Sequence, residues 1–303
     1  MKDLENLENR YREYVQEAKS KLQKFEKIRV LSLIITSIII VLVLTLAIRI
    51  ILSTFNLFGP YNNFGYISIG LETLTFISII KLLWVTAIKS IERKIKKEAM
   101  PILINSIPDF YWTQKSIPPE EINKSQILNL ENDFFQILDD GFVGKFKDVK
   151  IVINEWLYKN KSGRLILKLE FNKNFSGHTT IKHKALLTTS DTTKTRIRLE
   201  DSAFNNKYIV HSTDEIEARY IITTAFIKRF KEIKKAFNAK SINCSFIDNS
   251  MYMYIYTKKD FFSICNSLIT PLTKQNCIDK IFNEISSILA LIDHFKLDKK
   301  LGL

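Results

Sequence analysis

Three cysteines in 303 residues, Cys244, Cys265 and Cys277, are odd in number and nowhere spaced as Cys-x-x-Cys. Free, mostly buried thiols in a reducing compartment follow from that pattern. Glycine is scarce, with eight residues, and none of them falls into a P-loop or a Gly-x-Gly-x-x-Gly turn. A Gly-x-Ser-x-Gly elbow and a His-Glu-x-x-His motif are also missing. The four histidines are scattered. His178 and His183 lie five apart, and a strand would point them to opposite faces, so no metal is expected between them. His211 and His294 read as structural. No cofactor is expected, and the chain is not expected to be an enzyme. Positive charge is absent from one further place: the stretch 53–66 (STFNLFGPYNNFGY) holds no Lys or Arg.

What is present is long apolar runs and an excess of positive charge. Residues 30–52 (VLSLIITSIIIVLVLTLAIRIIL) are almost wholly apolar. At 1.5 Å per residue they are about long enough to cross ~30 Å of hydrocarbon. A charged lead of this length, with no small-residue cleavage site after the run, is unlike a signal peptide. A second span is expected at 67–88, interrupted by Glu72 and Lys81. Lys24, Lys27 and Arg29 precede the first run, and Lys89, Arg93, Lys94, Lys96 and Lys97 follow the second. Cytoplasmic flanks carry the excess of Lys and Arg, so both flanks are expected inside. The expected location is therefore the inner (cytoplasmic) membrane, multi-pass, with both termini cytoplasmic. Arg49 and Glu72 fall at similar depth in such a hairpin and are expected to form an intramembrane ion pair.

The net charge of +13 comes from 45 Lys+Arg against 32 Asp+Glu. Its sharpest cluster, 89–100, sits beside the second run. That placement fits an anionic lipid surface better than a nucleic-acid groove, and no nucleic-acid partner is expected. Residues 1–27 carry an apolar stripe, Leu4, Leu7, Tyr11, Tyr14, Val15, Ala18, Leu22 and Phe25, at steps of three and four. Three readings stay open: a coiled coil pairing subunits, packing on the cytoplasmic domain, or a helix lying on the membrane.

The expected organisation is a cytoplasmic amphipathic helix over 1–29, a transmembrane hairpin over 30–88, a basic juxtamembrane helix over 89–100 and a cytoplasmic α+β domain over 101–303, opened by Pro101. Within the domain Val149, Ile151 and Ile153 alternate with polar neighbours. Leu165, Leu167, Leu169 and Phe171 do the same after a loop at 159–163. Asp139-Asp140 before Gly141 reads as a turn. Ile242, Cys244 and Phe246 alternate, Asp248-Asn249-Ser250 turns, and 251–257 returns. Ser212-Thr213-Asp214-Glu215 reads as a capping box opening a helix to about Phe237, with Ile222, Phe226, Phe230, Ile233 and Phe237 inward. A last helix over 275–296 has Ile278, Ile281, Phe282, Ile285, Ile288, Leu289, Ile292 and Phe295 on one stripe. The fold class is α+β: a transmembrane hairpin followed by an antiparallel sheet covered by amphipathic helices. Tyr252, Tyr254 and Tyr256 share one face of a strand. They read as cross-strand packing under a helix, with base stacking as the alternative.

The order of certain words is familiar. Ile117, Glu120-Glu121 and Ser125 come first, then Asp140-Gly141-Phe142-Val143-Gly144 and Asn154-Glu155. After them come Leu199-Glu200-Asp201, Phe204, Tyr208-Ile209-Val210, Asp214, Glu217-Ala218-Arg219-Tyr220-Ile221 and Ser245-Phe246-Ile247-Asp248-Asn249. Together they resemble a bacterial membrane-protein family known as domain of unknown function 3137, some members of which carry a galanin-like label. Thr224 stands where that family often has Pro, and Asn154 where it often has Ser. The resemblance implies architecture and assigns no activity.

The candidate interaction surface is Glu217, Arg219, Lys228, Lys231 and Lys235. The helix-dipole and i,i+4 roles of the first two, and a solvated face for the lysines, are the plainer reading. The expected function is a membrane-anchored binding or scaffold module. Its expected partners are membrane lipids and another membrane or envelope-associated protein, with homo-oligomerisation through 1–27 also open. The alternative is an enzyme of unrecognised type acting near the inner membrane on lipid or protein.

Overall fold

The computed structural model describes residues 2–58, 78, 90, 96–105, 107–115, 117–128, 136–158, 161–186, 194–259, 261–262, 271 and 275–295. The chain divides into two compact units. One comprises Met1–Val15, Leu103–Asn266 and Gln275–Leu303, and the other Gln16–Ile102 and Ser267–Lys274.

The second unit contains most of helix α1, which runs unbroken over Lys2–Phe58. The expected amphipathic lead and first span are one element, because no Pro or Gly separates them. The most apolar stretch within Leu22–Ile50 has a mean hydropathy of 3.0, and only 6% of it is buried. Leu31, Ile35, Ile38, Ile39, Val41 and Leu42 face outward around the helix. Its hydroxyls are satisfied within the helix: Ser32 donates to Ile28 O, Thr36 to Ser32 O and Ser37 to Leu33 O, each at 2.8 Å. Back-bonding of this kind lets hydroxyls sit in an apolar medium. The second expected span, 67–88, lies outside the described residues except for Ser78. Arg49 is exposed on α1, and its expected partner Glu72 lies outside the described residues. The helix expected to stop at Pro101 continues to residue 104.

The first unit is built on a nine-stranded antiparallel sheet: β1 Phe110–Thr113, β2 Gln136–Phe146, β3 Val149–Tyr158, β4 Lys161–Glu170, β5 Thr179–His183, β6 Thr195–Ile197, β7 Tyr208–Ser212, β8 Ser241–Ile247 and β9 Ser250–Tyr256. The order across the sheet is β1-β2-β3-β4-β9-β8-β5-β7-β6. Both expected hairpins are present, β3–β4 and β8–β9, the latter turning with Asp248 at φ +53°. Asp139-Asp140, expected as a turn, lies inside β2. Gly144 makes that strand possible, since a Cβ there would sit 2.5 Å from the Phe110 ring of its partner β1.

Period-2 alternation divides the sheet residues between two faces. On one face Ile166, Trp156, Tyr252 and Tyr254 pack with Ile117, Ile122 and Ile127 under helix α2, Pro119–Ser125. Tyr252 and Tyr254 are thus interior packing. The other face carries Ile151, Ile153, Leu165, Leu167, Leu169, Met251, Met253, Ile242, Cys244 and Phe246, all buried. Helices α3 Ser202–Lys207, α4 Glu215–Ile221, α5 Thr224–Ala236 and α6 Gln275–Phe295 complete the unit. Phe226 of α5 meets Phe246 at 5.9 Å, and Phe230 meets Phe204 and Tyr208 at 5.8 and 5.3 Å. In α6, Ile281, Ile285, Ile288 and Leu289 are buried, as the spacing predicts. Residues 1–15 belong to this same unit. The Tyr11 ring stacks on Phe282 of α6 at 3.9 Å and 14°, and its hydroxyl donates to Asp279. Of the stretch 1–27, the part up to Val15 belongs to this unit, which it joins through Tyr11.

Candidate interaction surface

The helix expected over 212–237 is two helices. Ser212 is the last residue of β7, and its Oγ accepts from Asp214 N at 3.0 Å while donating to Asp214 O. Asp214 is the true cap of α4, accepting from Glu217 N at 3.0 Å. Ile222 then leaves helical geometry, and Thr223 caps α5 by accepting from Phe226 N at 3.2 Å. Two caps within ten residues satisfy orphan N–H groups of both short helices.

This local geometry sorts the expected surface residues. Glu217 points inward and is 5% exposed. Its Oε1 accepts from Ser176 N at 2.7 Å and Ser176 Oγ at 3.0 Å, and its Oε2 from Gly177 N at 2.7 Å. Gly177 is needed there, because a Cβ would lie 2.7 Å from Asp214 Cβ. Glu217 is therefore a clamp on the 176–177 loop, and its expected place on an interaction surface is corrected by burial. Arg219 does face outward. It grips Glu215 through Nε at 3.0 Å and through a terminal nitrogen at 2.7 Å, and donates to Arg198 O at 3.2 Å. Lys228, Lys231 and Lys235 are exposed on α5. Lys231 bonds Asp201 at 2.6 Å. That bond, together with the Phe204 N–H that Asp201 accepts, holds the Asp201 carboxyl below the usual carboxylate range.

The segment 198–201 is thus held at one end by Arg219 of α4 and at the other by Lys231 of α5. Sequence reasoning missed two further outward residues of α4, Ile216 at 84% and Tyr220 at 49% exposure. They are four apart and share the outward side of α4. A single outward isoleucine breaks no periodic pattern, so the sequence carried no signal for it.

The remaining polar residues work inside the domain. Glu155 accepts from Phe261 N at 2.9 Å and Glu284 from Phe262 N at 2.7 Å, so two buried carboxylates hold one turn whose Phe262 has φ +51°. Lys259 pairs with Glu284 at 3.0 Å beside a small cleft of about 230 Å3 lined by Phe237, Phe261, Lys280 and Asn283. Asn154 accepts from Ile117 N at 2.7 Å, and Asp140 from Trp112 Nε1 at 3.2 Å. His178 Nε2 lies 3.1 Å from Ser125 O and 3.0 Å from Ser245 Oγ, tying α2 to β8. Ser245 is fully buried, so this contact is a structural tie. His183 is at the end of β5, edge-on to Tyr208 at 5.1 Å, and His211 is in β7. Tyr208 is pushed up to about 12 by burial. Burial also raises the Cys244 thiol, leaving it protonated and inert. Among the described residues, no group of three or more His, Cys, Asp or Glu is placed to hold a metal ion.

The fold and surface define an α+β domain of antiparallel sheet and helices, preceded, among the described residues, by one apolar helix long enough to cross a membrane. Residues 164–297 match the family model described as "Protein of unknown function (DUF3137)", the family that the words of the sequence resemble. Among curated proteins none matches the chain. The crystal structure of the mycobacterial trehalose monomycolate transport factor A, TtfA, aligns with 61% of this chain and 88% of that chain, at 8% identity and a TM-score of 0.37.

Proposed function

We propose that the chain is a membrane-anchored binding module, with its α+β domain held at the cytoplasmic face of the inner membrane to scaffold another envelope-associated protein. The observation that carries this reading is the continuity of α1. Its first turns pack in the domain's unit through Tyr11, and its next turns are an outward-facing apolar helix. Residues before and after that apolar stretch in the chain, 1–15 together with 103–266 and 275–303, belong to one compact unit. If Leu22–Ile50 crosses a bilayer, the chain must cross back before residue 103. This parity supports the hairpin independently of the basic flanks. The binding role is supported by the use made of the acids: Glu155, Glu217 and Glu284 each accept from backbone N–H groups, which commits them to holding loops.

Cysteine labelling tests the anchor. With the native cysteines replaced, Asn9→Cys and Lys240→Cys should both resist an impermeant maleimide in spheroplasts, while Asn62→Cys should label. Labelling of position 240 with 62 silent would reverse the orientation. Opposite behaviour at 9 and 240 would remove the hairpin. In-cell crosslinking from the full chain then tests the scaffold role, which predicts one recurring stoichiometric protein partner.

A further inference from the structure

From the outward face of α4 we infer a second membrane contact: Ile216 and Tyr220, with the cations beside them, dock the domain on an anionic lipid surface. The inference rests on the anchored reading above. Ile216 is 84% exposed and Tyr220, four residues on, is half-exposed, so α4 presents two large side chains outward from one side. Exposed cations lie on the same helix and on the segments bonded to it or next to it in the chain. Arg219 lies one residue before Tyr220 and donates to Arg198 O, which brings the exposed Arg198 alongside. Arg196 on β6 is exposed, as are Lys228, Lys231 and Lys235 on α5. Glu215 and Asp201 neutralise part of this charge through Arg219 and Lys231.

Two arguments select lipid over protein. A stable protein interface buries on the order of 800 Å2 per partner, far more than two side chains offer. Shallow insertion of one aliphatic and one amphipathic aromatic residue, backed by basic residues, is by contrast sufficient for a tethered domain at an anionic interface. The tether matters because the chain carries its own apolar helix, so the domain meets the bilayer at high effective concentration.

The test uses the full chain in nanodiscs of phosphatidylcholine alone or mixed with phosphatidylglycerol. p-Benzoyl-phenylalanine replaces Ile216 in one sample and Tyr111, exposed on edge strand β1, in another. After irradiation, lipid adducts are counted by mass spectrometry. The expected result is a several-fold excess of lipid adducts at 216 over 111 in the anionic discs, falling several-fold in pure phosphatidylcholine and in the Arg198→Glu/Arg219→Glu variant. Equal adduct yields at 216 and 111, yields indifferent to lipid charge, or adducts to a second protein chain would each overturn the inference while leaving the anchor intact. Failure of the chain to enter nanodiscs at all would overturn the anchor and this inference together.

Discussion

Glu217 and His183 show how much a single side chain decides in this domain. Glu217 bonds three donors of the 176–177 loop from inside α4. Its replacement by Ala leaves those donors to find water where they can, which is expected to cost about 2 kcal/mol. Glu217→Gln keeps one acceptor oxygen and should lose about half as much. Chemical denaturation of the detergent-solubilised chain measures both, and equal stability of wild type and Glu217→Ala would remove the clamp. His183 is governed by its surroundings in a different way. Burial, then the nearby charges of Lys234 and Lys207, lower its pKa from the ordinary 6.5. Nδ1 accepts from Ala185 N at 3.2 Å, which the protonated ring could not do. Because the folded pKa is the lower one, the unfolded chain takes up the proton first. Stability from this residue is full above about 6.5 and falls as the pH drops toward the folded value. Melting temperatures between pH 7.5 and 5.5 should therefore decline less in His183→Gln than in the wild type. His178, which no motif marks out, ties Ser125 to Ser245 and is expected to matter for stability in the same assay.

At the scale of elements, what repeats with a regular period could be read from the sequence, and what depends on a single cap could not. The alternation around 149–153, 165–171 and 242–257 became β3, β4, β8 and β9, and the stripe over 275–296 became α6. The break at 222–223 was hidden because Ile222, Phe226, Phe230, Ile233 and Phe237 continue one apolar stripe straight across it, and all five are buried. Ser212 looked like a cap because its hydroxyl does bond locally, but to the Asp214 backbone from the end of a strand. One clue was present: the resembled family often has Pro where this chain has Thr224. That position is the first of α5, after a cap at ψ 165°. Proline is welcome there, because the first helical N–H has no partner within the helix and an extended preceding residue is what proline requires. Thr224→Pro should therefore be neutral or stabilising by up to about 1 kcal/mol. Ile227→Pro would remove the 3.0 Å bond from Ile227 N to Thr223 O and should cost about 3 kcal/mol or more. A large loss from Thr224→Pro would mean that 212–237 behaves as one continuous helix.

For the whole molecule, the open question is which chain the N-terminal stripe serves. The spacing of Leu4, Leu7, Tyr11 and Tyr14 suits a coiled coil between subunits as well as it suits packing within one chain, and sequence periodicity cannot separate the two. The structure puts Tyr11 on Phe282 and Asp279 of its own α6. A stacked ring pair, a hydrogen bond and burial to 7% exposure make this contact specific to one register. Burial first, then the bond to Asp279, raises the Tyr11 pKa, which keeps its hydroxyl a donor throughout the physiological range. A homo-oligomer through this stripe would have to displace these groups. Cysteines replacing Asn9 and Lys280, each close in sequence to one side of the contact, in a background lacking the native three, should be joined by a short bis-maleimide within one chain. The product should run as a monomer in denaturing gels, and its yield should not change as the protein is diluted in detergent. Tyr11→Ala should lower that yield sharply, since it removes both the stack and the bond, whereas Tyr11→Phe keeps the stack and should lower it less. A crosslinked dimer whose yield falls on dilution would instead assign the stripe to a partner subunit, and would also remove the parity argument that places residues 1–15 and the domain on one side of the membrane.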